Sequence, residues 1–453
     1  MEREIEKELL IWKEKKERTP LIVRGARQVG KSFTVESFGE KYFKNLLVVN
    51  FEENSSAKFC FESLDIQTIL KKLGYLYGTT IHPGETLLFF DEIQLCPPAI
   101  KSLRYFKEKL PELHVIAAGS LLEFVLEDEE IPLSFPVGRV RFINMKPLSF
   151  REFMRAIGQG RWVEELEKIS LENPLTEGFH HHLLEFVRDY FLIGGMPAAI
   201  KAYIQSQSYI ETLREQKALL DIYRLDLAKY GKKNEFAHLQ KLFERSPQLA
   251  TKHFRYSKID PESAHPSREY KNALRKLDQA GIIHPVHATL ANGLPLKGEE
   301  NEKKFKILFL DIGLLQCALE MDPVLFTSNL FHQVNAGALS EQFVGQEWLA
   351  YTDCYLEPHL FFWKSEKSGR SAEIDYVTNL DGKIIPIEVK AGKTGRLSSL
   401  HQFLENKPAP FGIHISIKQL SFKNQVLTVP FYLMAEIPRL VRAVSGQTLQ
   451  IIE

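Results

Sequence analysis

The sequence lacks the features by which secreted, zinc-binding and membrane proteins are most easily identified. Its 4 cysteines, Cys60, Cys96, Cys317 and Cys354, are widely spaced and include no CxxC pair. Zinc sites and disulfide frameworks need grouped cysteines, so this spacing predicts buried thiols in a reducing cytoplasm. The charged start "MEREIEKELL" is no signal peptide, and the most apolar run, "VIAAGSLLEFVL", is too short to cross a bilayer. We therefore expect a cytoplasmic protein with no membrane partner.

The sequence also has no excess of charge of either sign, with 58 Lys+Arg and 58 Asp+Glu residues. No overall field therefore attracts the chain to nucleic acid, and any polyanion would have to bind at a local basic patch. Hydrophobic residues make up 44% and charged residues 26% of the chain, which is typical of a folded globular protein.

With 453 residues, the chain is too long for one ordinary core. As far as residue 149, apolar strands such as "PLIVRG", "NLLVVNFE" and "TLLFFDE" alternate with helical stretches, which predicts an α/β fold with a mainly parallel sheet. The later pattern predicts a helical connector over 150–228, a winged-helix-like domain over 229–304 and a second α/β domain over 305–453.

The clearest motif is "GARQVGKS", which fits the phosphate-binding pattern G-x-x-x-x-G-K-[ST] and lies between a predicted strand and a predicted helix. Its glycines let successive backbone N–H groups point at phosphate oxygens, and the helix N-terminus adds a positive dipole. Lys31 is expected to contact the β- and γ-phosphates and Ser32 to bind Mg²⁺. The predicted ATP-binding residues are Gly25, Ala26, Arg27, Gln28, Val29, Gly30, Lys31, Ser32 and Phe33.

A second motif, "TLLFFDEIQ", is typical of a strand that delivers carboxylates to a bound nucleotide. Asp91 is expected to join the Mg²⁺ shell, and Glu92 to polarise the water that attacks the γ-phosphate. An exposed acidic strand end is the alternative, but four apolar residues precede the pair. The adjacent glutamate favours hydrolysis over binding alone.

Two further residues are weaker candidates for a role in hydrolysis. Ser120 follows the strand "LHVIAAG" and could contact the γ-phosphate or the attacking water, or cap the next helix. Arg139 could supply positive charge to the transition state, in cis or from a neighbouring subunit. Arg141 alternates with it on a strand, so the sequence does not decide between the two, and a solvated edge is the alternative.

The predicted winged-helix region carries basic residues that could contact DNA phosphates. Acidic residues between them, Glu262, Glu269 and Asp278, favour the alternative of a solvated face. A protein-docking or oligomerisation surface is also compatible with the pattern. The basic residues are Lys252, Arg255, Lys258, Arg268, Lys271, Arg275 and Lys276.

Near the C-terminus, "EIDYVTNLDGKIIPIEVKAG" predicts two strands joined by a turn. Asp375 lies on the first strand, and Glu388 and Lys390 lie two apart on the second, on one face. Two carboxylates could hold Mg²⁺ while the lysine stabilises a charged phosphate transition state. Glu341, on a preceding helix, could add a third oxygen. By spacing alone the pattern is weak, and ordinary surface charge is the alternative.

The order of "RGARQVGKS", "FFDEIQ", "KPLSFREF", "FLIGGMP", "ILFLDIGLL", "GALSEQFV" and "EIDYV…PIEVKAG" resembles the prokaryotic AAA-type ATPases that carry a C-terminal domain of unknown function. That C-terminal domain is similar to restriction endonucleases. The resemblance covers nearly the whole chain and implies a P-loop ATPase core over 1–149, helical and winged-helix segments, and a nuclease-like domain. It implies that Asp375, Glu388 and Lys390 lie at the centre of a nuclease-like fold, and it leaves metal binding and DNA cleavage open.

Three functions are compatible with the sequence. The first is an Mg²⁺-dependent ATP hydrolase that couples nucleotide state to the C-terminal half. The second is a nucleotide-gated DNA- or protein-binding switch whose nuclease-like fold is an inert scaffold. The third is an ATP-regulated DNA nuclease. If Arg139 acts on a neighbouring subunit, a homo-oligomer is required.

Overall fold

A computed structural model describes residues 1–119, 136–231, 235–263, 266–321, 336–365, 372–392 and 396–452. The chain divides into two compact units. The first contains 2–146 together with 353–357, and the second contains 147–352 and 358–453. In the part of the chain that is described, no helix is both long and apolar enough to cross a membrane.

The first unit is built on five strands with helices between them. Two strands are buried along their whole length, which explains their unbroken apolar sequences. The strands are β1 (Leu21–Arg24), β2 (Asn45–Asn50), β3 (Thr86–Asp91), β4 (His114–Ala118) and β5 (Arg141–Asn144). The helices are α1 (Ile5–Glu14), α2 (Lys31–Tyr42), α3 (Ile66–Tyr77) and α4 (Pro97–Lys109).

All five strands are parallel, in the order β2-β3-β4-β1-β5. β1 lies between β4 and β5, so the loop that follows it leaves from the interior of the sheet. Because parallel strands end at one edge, the loop after β1 and the carboxylates after β3 lie at the same edge. The predicted parallel α/β fold of the N-terminal region is confirmed.

The second unit begins with helices and continues into a mixed sheet. Its helices are α5 (Phe150–Ala156), α6 (Gly160–Leu166), α7 (Glu177–Ile193), α8 (Pro197–Ser206), α9 (Tyr209–Asp226), α10 (Phe236–Leu249), α11 (Pro266–Gln279), α12 (Ile312–Ala318), α13 (Ala336–Tyr351), α14 (Ser398–Asn406) and α15 (Ile437–Ile452). Its strands are β6 (Ile283–Thr289), β7 (Glu300–Phe309), β8 (Leu360–Lys364), β9 (Glu373–Leu380), β10 (Lys383–Val389), β11 (Gly412–Ser416), β12 (Ser421–Lys423) and β13 (Val426–Pro430).

These eight strands form one sheet in the order β12-β13-β11-β10-β9-β8-β6-β7. The predicted hairpin of β9 and β10 is present, and its turn residues Asp381 and Gly382 both have positive φ, 49° and 76°. The strands predicted as a wing, β6 and β7, are antiparallel, but β6 also pairs in parallel with β8. They therefore belong to the same sheet as the C-terminal hairpin, and the winged-helix prediction is not confirmed. The four-domain division stays a prediction.

A buried polar network joins several of the short motifs in the second unit. Asp311 Oδ2 accepts hydrogen bonds from the Gly195 N–H at 2.6 Å and from Gln346 Nε2 at 3.2 Å. The neighbouring Glu347 carboxylate accepts from the Phe150 N–H at 3.0 and 3.1 Å. The segments "SFREF", "GGMP", "FLDIG" and "SEQFVGQE" thus meet at one place, where they satisfy backbone groups that have no water to bind.

The two adjacent glycines of this network are required by space. A Cβ on Gly194 would lie 2.1 Å from Asp311 Oδ1, and a Cβ on Gly195 would lie 2.2 Å from the Leu148 carbonyl oxygen. Both distances are far below van der Waals contact. The "GGMP" motif is therefore explained by packing and does not indicate a ligand site.

Candidate functional site

The loop between β1 and α2 has the backbone conformation that a phosphate cradle needs. Gly25, Gln28 and Gly30 have φ values of 140°, 61° and 94°, so the chain turns repeatedly before α2 begins at Lys31. A Cβ on Gly25 would lie 2.1 Å from the Met145 carbonyl oxygen, which leaves glycine as the residue that fits.

Lys31 is buried against this loop and bonds to neutral groups. Its Nζ donates to the carbonyl oxygens of Gly25 at 3.0 Å and of Ala26 at 2.8 Å. Burial lowers the pKa of Lys31 to about 8, although the nearby carboxylates of Glu92 and Asp91 oppose the shift. The ammonium group therefore lies within the loop and, among the described residues, contacts no carboxylate directly. This arrangement favours the binding of an anion such as a phosphate.

At the end of β3, Asp91 meets the first turn of α2. Ser32 Oγ donates to Asp91 Oδ2 at 2.8 Å, and Asn50 Nδ2, at the end of β2, is 3.4 Å from the same oxygen. Burial raises the pKa of Asp91, and the Ser32 hydrogen bond opposes that shift. A hydroxyl and a carboxylate side by side are hard oxygen ligands of the kind that Mg²⁺ prefers, so these residues fit the ion.

Glu92 has a strained backbone and a bound side chain. Its φ and ψ are 49° and 44°, a conformation that costs free energy in a residue other than glycine. Its carboxylate accepts a hydrogen bond from Gln94 Nε2. A Cβ on Gly119 would lie 2.2 Å from Gln94 Oε1, so Gly119 makes room for Gln94. Strain at this position is typical of functional sites, where the rest of the fold holds a residue in place.

Three residues of this site were not singled out from the sequence: Arg3, Asn50 and Gln94. Arg3 is buried, and its guanidinium donates to the carbonyl oxygens of Val29 at 2.8 Å and of Lys146 at 2.6 Å. Asn50 is the last residue of β2 and Gln94 lies just after β3, so their positions near strand ends were a usable signal. Arg3 carries no such signal, because it lies in a segment rich in charge.

The two weaker catalytic candidates remain predictions. Ser120 lies outside the described residues. Arg139 Nε donates to Glu108 Oε1 at 2.9 Å, in an ion pair whose two side chains are 45% and 32% exposed. Exposed pairs of this kind contribute little to stability, so the pair would not hold Arg139 away from a nucleotide. Arg141 begins β5 and is exposed. Of the predicted loop residues, Phe33 is 59% exposed.

The C-terminal hairpin does bring its predicted residues together. Asp375 Oδ2 accepts from the Val389 N–H at 2.8 Å, and Lys390 Nζ lies 2.5 Å from Glu388 Oε1. Glu388 is buried, and its Oε2 has no hydrogen-bond partner. The hydrogen bond across β9 and β10 holds Asp375 beside the end of the second strand.

A lysine that the sequence gave no reason to choose lies among these carboxylates. Lys306, on β7, places its Nζ 2.9 Å from Glu341 Oε1 and 2.7 Å from Glu373 Oε1. The residue is 3% exposed. Glu341 is further fixed because its backbone carbonyl accepts a hydrogen bond from the Tyr376 hydroxyl at 2.8 Å.

Burial and charge shift the pKa values in this cluster strongly. Burial raises the pKa of Glu341 to about 8 and that of Glu388 to about 7, and it also raises the pKa of Asp375. Burial alone would lower the pKa of Lys306, but the surrounding carboxylates outweigh it and raise that pKa. Glu373 is the exception, since His253 and Lys306 overcome its burial and lower its pKa to about 2.

The predicted ligands of this cluster bond to other groups of the protein. Among the residues that the structure describes, no group of three or more His, Cys, Asp or Glu side chains is placed to hold a metal ion. The proposed ligands Glu341, Asp375 and Glu388 instead bond to Lys306, to a backbone N–H and to Lys390.

A groove lined by both basic and acidic side chains lies elsewhere in the second unit, between α11 and the β6–β7 hairpin. It is a cavity of about 550 Å³. Arg268, Lys271 and Arg275 are exposed on one face of α11 and line it, whereas Lys276 forms an ion pair with Glu235 at 2.5 Å. Lys276 was predicted to contact DNA with the others, but it is paired with that carboxylate. The remaining charged and aromatic lining residues are Tyr256, Asp278, His287, Glu300, Glu302 and Phe305.

Family models match three parts of the chain. Residues 17–154 match the family model of an AAA domain. Residues 184–325 and 336–433 match two domains of unknown function, DUF8612 and DUF4143. The prediction of an AAA-type domain is thereby confirmed for residues 17–154, and the likeness of the C-terminal region to restriction endonucleases is not. No curated protein is a detectable relative of the chain.

Several solved structures are similar to this chain at low sequence identity. A Walker-type ATPase of Pyrococcus abyssi is 17% identical, with 70% of this chain and 95% of the other covered and a TM-score of 0.43. The ORC1 protein of Aeropyrum pernix, solved in complex with DNA, is 12% identical, with coverages of 72% and 94% and a TM-score of 0.28. The RuvB Holliday junction branch migration motor of Thermotoga maritima is 14% identical, with coverages of 62% and 87% and a TM-score of 0.29. None of these likenesses is close enough to assign a ligand or partner.

Proposed function

We propose that the first unit binds ATP with Mg²⁺ and hydrolyses it. The observation that carries the proposal is the hydrogen bond of 2.8 Å between Ser32 Oγ and Asp91 Oδ2, beside a buried Lys31. This hydrogen bond joins the phosphate loop to the end of β3. It brings two oxygen ligands, from Ser32 and Asp91, close to the Lys31 ammonium group. A chance match to the loop pattern would have no reason to produce this contact.

Different residues of the first unit would bind the phosphates and the Mg²⁺ ion. The backbone N–H groups from Gly25 to Ser32 would surround the phosphates, and the N-terminus of α2 would add its dipole. Lys31 would exchange the carbonyl oxygens of Gly25 and Ala26 for phosphate oxygens. Ser32 and Asp91 would hold Mg²⁺, which neutralises charge on the phosphates when bound.

Glu92 is the residue proposed to orient and deprotonate the attacking water. Its carboxylate accepts from Gln94 in this structure, so one oxygen is occupied and its direction is fixed. Gln94 therefore acts as a positioning residue for Glu92. Ser120 as a γ-phosphate sensor and Arg139 as a source of transition-state charge, in cis or from a second subunit, complete the proposal.

The experiment replaces Lys31 with Ala and measures phosphate release from ATP in Mg²⁺. We expect turnover to fall by about 10²-fold or more, because a cation on the transferred phosphate is lost. Lys41→Ala is the matched control, since it removes the same charge from the exposed far end of α2. Turnover by Lys31→Ala equal to that of the Lys41→Ala control would refute the proposal.

The second unit supports a further proposal, the binding of DNA along the basic face of α11 in the groove beside the β6–β7 hairpin. Arg268, Lys271 and Arg275 are spaced three and four residues apart, so they lie on one face of α11. Tyr256 and Phe305 provide aromatic surface in the same groove. Asp278, near the C-terminal end of α11, and Glu300 and Glu302, on β7, also line the groove. They would restrict the contact to the basic face of α11.

Arg268→Ala/Lys271→Ala tests this groove in a fluorescence-anisotropy titration with a labelled 20-base-pair duplex at several salt concentrations. We expect weaker binding and a slope of log affinity against log salt that is smaller by about 2, because two phosphate contacts are lost. Lys201→Ala/Lys217→Ala removes the same charge from α8 and α9 and is the control. Equal affinities and equal slopes for the two variants would exclude DNA from the groove and favour a protein partner or a homo-oligomer.

The assignment of 305–453 to a restriction-endonuclease-like fold also remains a proposal. It is supported by the β9–β10 hairpin, by the parallel strands β11 and β13 beside it, and by α13, which carries Glu341. The same region would then be either an inert scaffold in a nucleotide-gated switch or an ATP-regulated nuclease.

A further inference from the structure

We propose that Lys306 is a built-in cation that replaces the metal ion expected in the carboxylate cluster of the second unit, so that this cluster binds no divalent metal. The carboxylate cluster consists of Glu341, Glu373, Asp375 and Glu388. The proposal concerns the second unit alone and does not depend on ATP hydrolysis in the first.

The position of the ammonium group supports this role. Lys306 Nζ lies 2.9 Å from Glu341 Oε1 and 2.7 Å from Glu373 Oε1, so it links α13 to β9. The ring centroid of Phe362, on β8, lies 5.1 Å from the same nitrogen. Two carboxylates and one aromatic face surround the ammonium, which is the environment that a buried cation needs.

The side chain is held there by its own strand. Lys306 pairs with Val286 across β6 and β7, and an isolated bridge joins it to His253. With 3% of the residue exposed, the lysine cannot reach solvent without disturbing this part of the sheet. It is therefore a fixed component of the site, unlike a flexible surface lysine that a metal ion could displace.

The remaining carboxylates also have partners within the protein. Glu373 Oε2 is 2.7 Å from His253 Nε2, Asp375 accepts from the Val389 N–H, and Glu388 pairs with Lys390. A divalent ion at this place would have to approach the Lys306 ammonium while competing for the same oxygens. The divalent ion and the ammonium group are both positive, and like charges a few ångströms apart repel strongly where water is excluded.

The ion pairs and hydrogen bonds of the cluster then hold α13, β7, β9 and β10 together. It keeps the acidic residues of a nuclease-like hairpin without the ion that nuclease chemistry requires. The oxygen of Glu388 that has no partner, Oε2, and the 34% exposed Lys390 side chain form its most accessible edge.

Mn²⁺ binding to the nucleotide-free protein, measured by electron paramagnetic resonance, tests the proposal. We expect wild type and Asp375→Asn to bind the same number of ions per chain, because the cluster contributes none. Lys306→Met should gain one ion, and Lys306→Met/Asp375→Asn should lose it again. Lys306→Arg keeps the positive charge and should bind no more than wild type.

Two results would overturn the proposal: one more ion bound by wild type than by Asp375→Asn, or no gain in Lys306→Met compared with Lys306→Arg. If circular dichroism shows that Lys306→Met does not fold, the comparison of wild type with Asp375→Asn still decides. Supercoiled plasmid incubated with Mg²⁺ or Mn²⁺ and ATP gives a second measurement. Nicking by wild type that is absent in Asp375→Asn would also contradict the proposal, whereas equal and background nicking by both agrees with it.

Discussion

In each unit of this protein a buried lysine lies near carboxylates, and the two lysines, Lys31 and Lys306, differ in the groups to which they bond. Lys31 donates to two neutral carbonyl oxygens of the phosphate loop, whereas Lys306 lies within 3 Å of two carboxylates. Burial lowers the pKa of Lys31 to about 8, while neighbouring carboxylates outweigh burial and raise the pKa of Lys306. The positive charge of Lys31 is thus available to a ligand, and that of Lys306 is already neutralised by the protein.

The largest expected effect that separates the two lysines is on stability. Lys306→Met should lower the free energy of unfolding of the second unit by about 3–5 kcal/mol, because it leaves buried carboxylates without their cation. Lys31→Met should cost far less, since only hydrogen bonds to carbonyl groups are lost. Thermal unfolding without nucleotide measures both. Equal losses of stability in the two variants would contradict the comparison.

Acid should weaken the second unit through Glu373. Its pKa is lowered from 4.5 to about 2, so the stability it contributes is present above about pH 4.5 and is lost as the pH falls towards 2. The difference corresponds to about 3 kcal/mol. Unfolding midpoints between pH 6 and pH 2 should fall less steeply in Glu373→Gln than in wild type. Parallel curves for the two proteins would argue against a favourable Glu373 charge.

A smaller effect should appear in nucleotide binding at high pH. Because the pKa of Lys31 is lowered to about 8, the nucleotide-free protein loses this charge above that pH and must take up a proton to bind ATP. ATP affinity should therefore fall by up to about tenfold per pH unit above pH 8. Lys31→Arg stays charged and should show a flatter profile in a titration with a fluorescent ATP analogue. A flat wild-type profile up to pH 9.5 would contradict the prediction.

The first site could be predicted from the sequence because its information is local. Eight consecutive residues form the phosphate-loop motif, and Asp91 and Glu92 lie at the end of a buried strand. Parallel strands place their ends at one edge, so the meeting of Ser32 and Asp91 followed from the order of elements. Arg3 was missed because its bond to the Lys146 carbonyl spans a separation of 143 residues that no local pattern encodes.

The second site was only partly predictable, because some of its residues come together through local pattern and others through contacts between distant parts of the chain. The hairpin placed Asp375, Glu388 and Lys390 together through the two-residue repeat of strands. Lys306 comes from a strand whose pattern suggested a wing, and the pairing of β6 with β8 that brings it into the cluster depends on the whole sheet. Without that long-range contact, the sequence could not show that a lysine lies among the carboxylates. The metal-site prediction was therefore made without knowledge of the charge of the cluster.

The Met145 carbonyl packs so closely against Gly25 that a side chain would not fit there, and this region has a mechanical consequence. The Met145 N–H donates to the Arg24 carbonyl at 2.8 Å, and Arg3 ties Val29 to the Lys146 carbonyl. These hydrogen bonds thus connect the phosphate loop directly to residues 145–146. Lys146 is the last residue before the chain enters the second unit. The same contacts within the first unit therefore hold both the phosphate-loop motif and the residue at which the chain leaves that unit, and we expect a displacement of either to move the other.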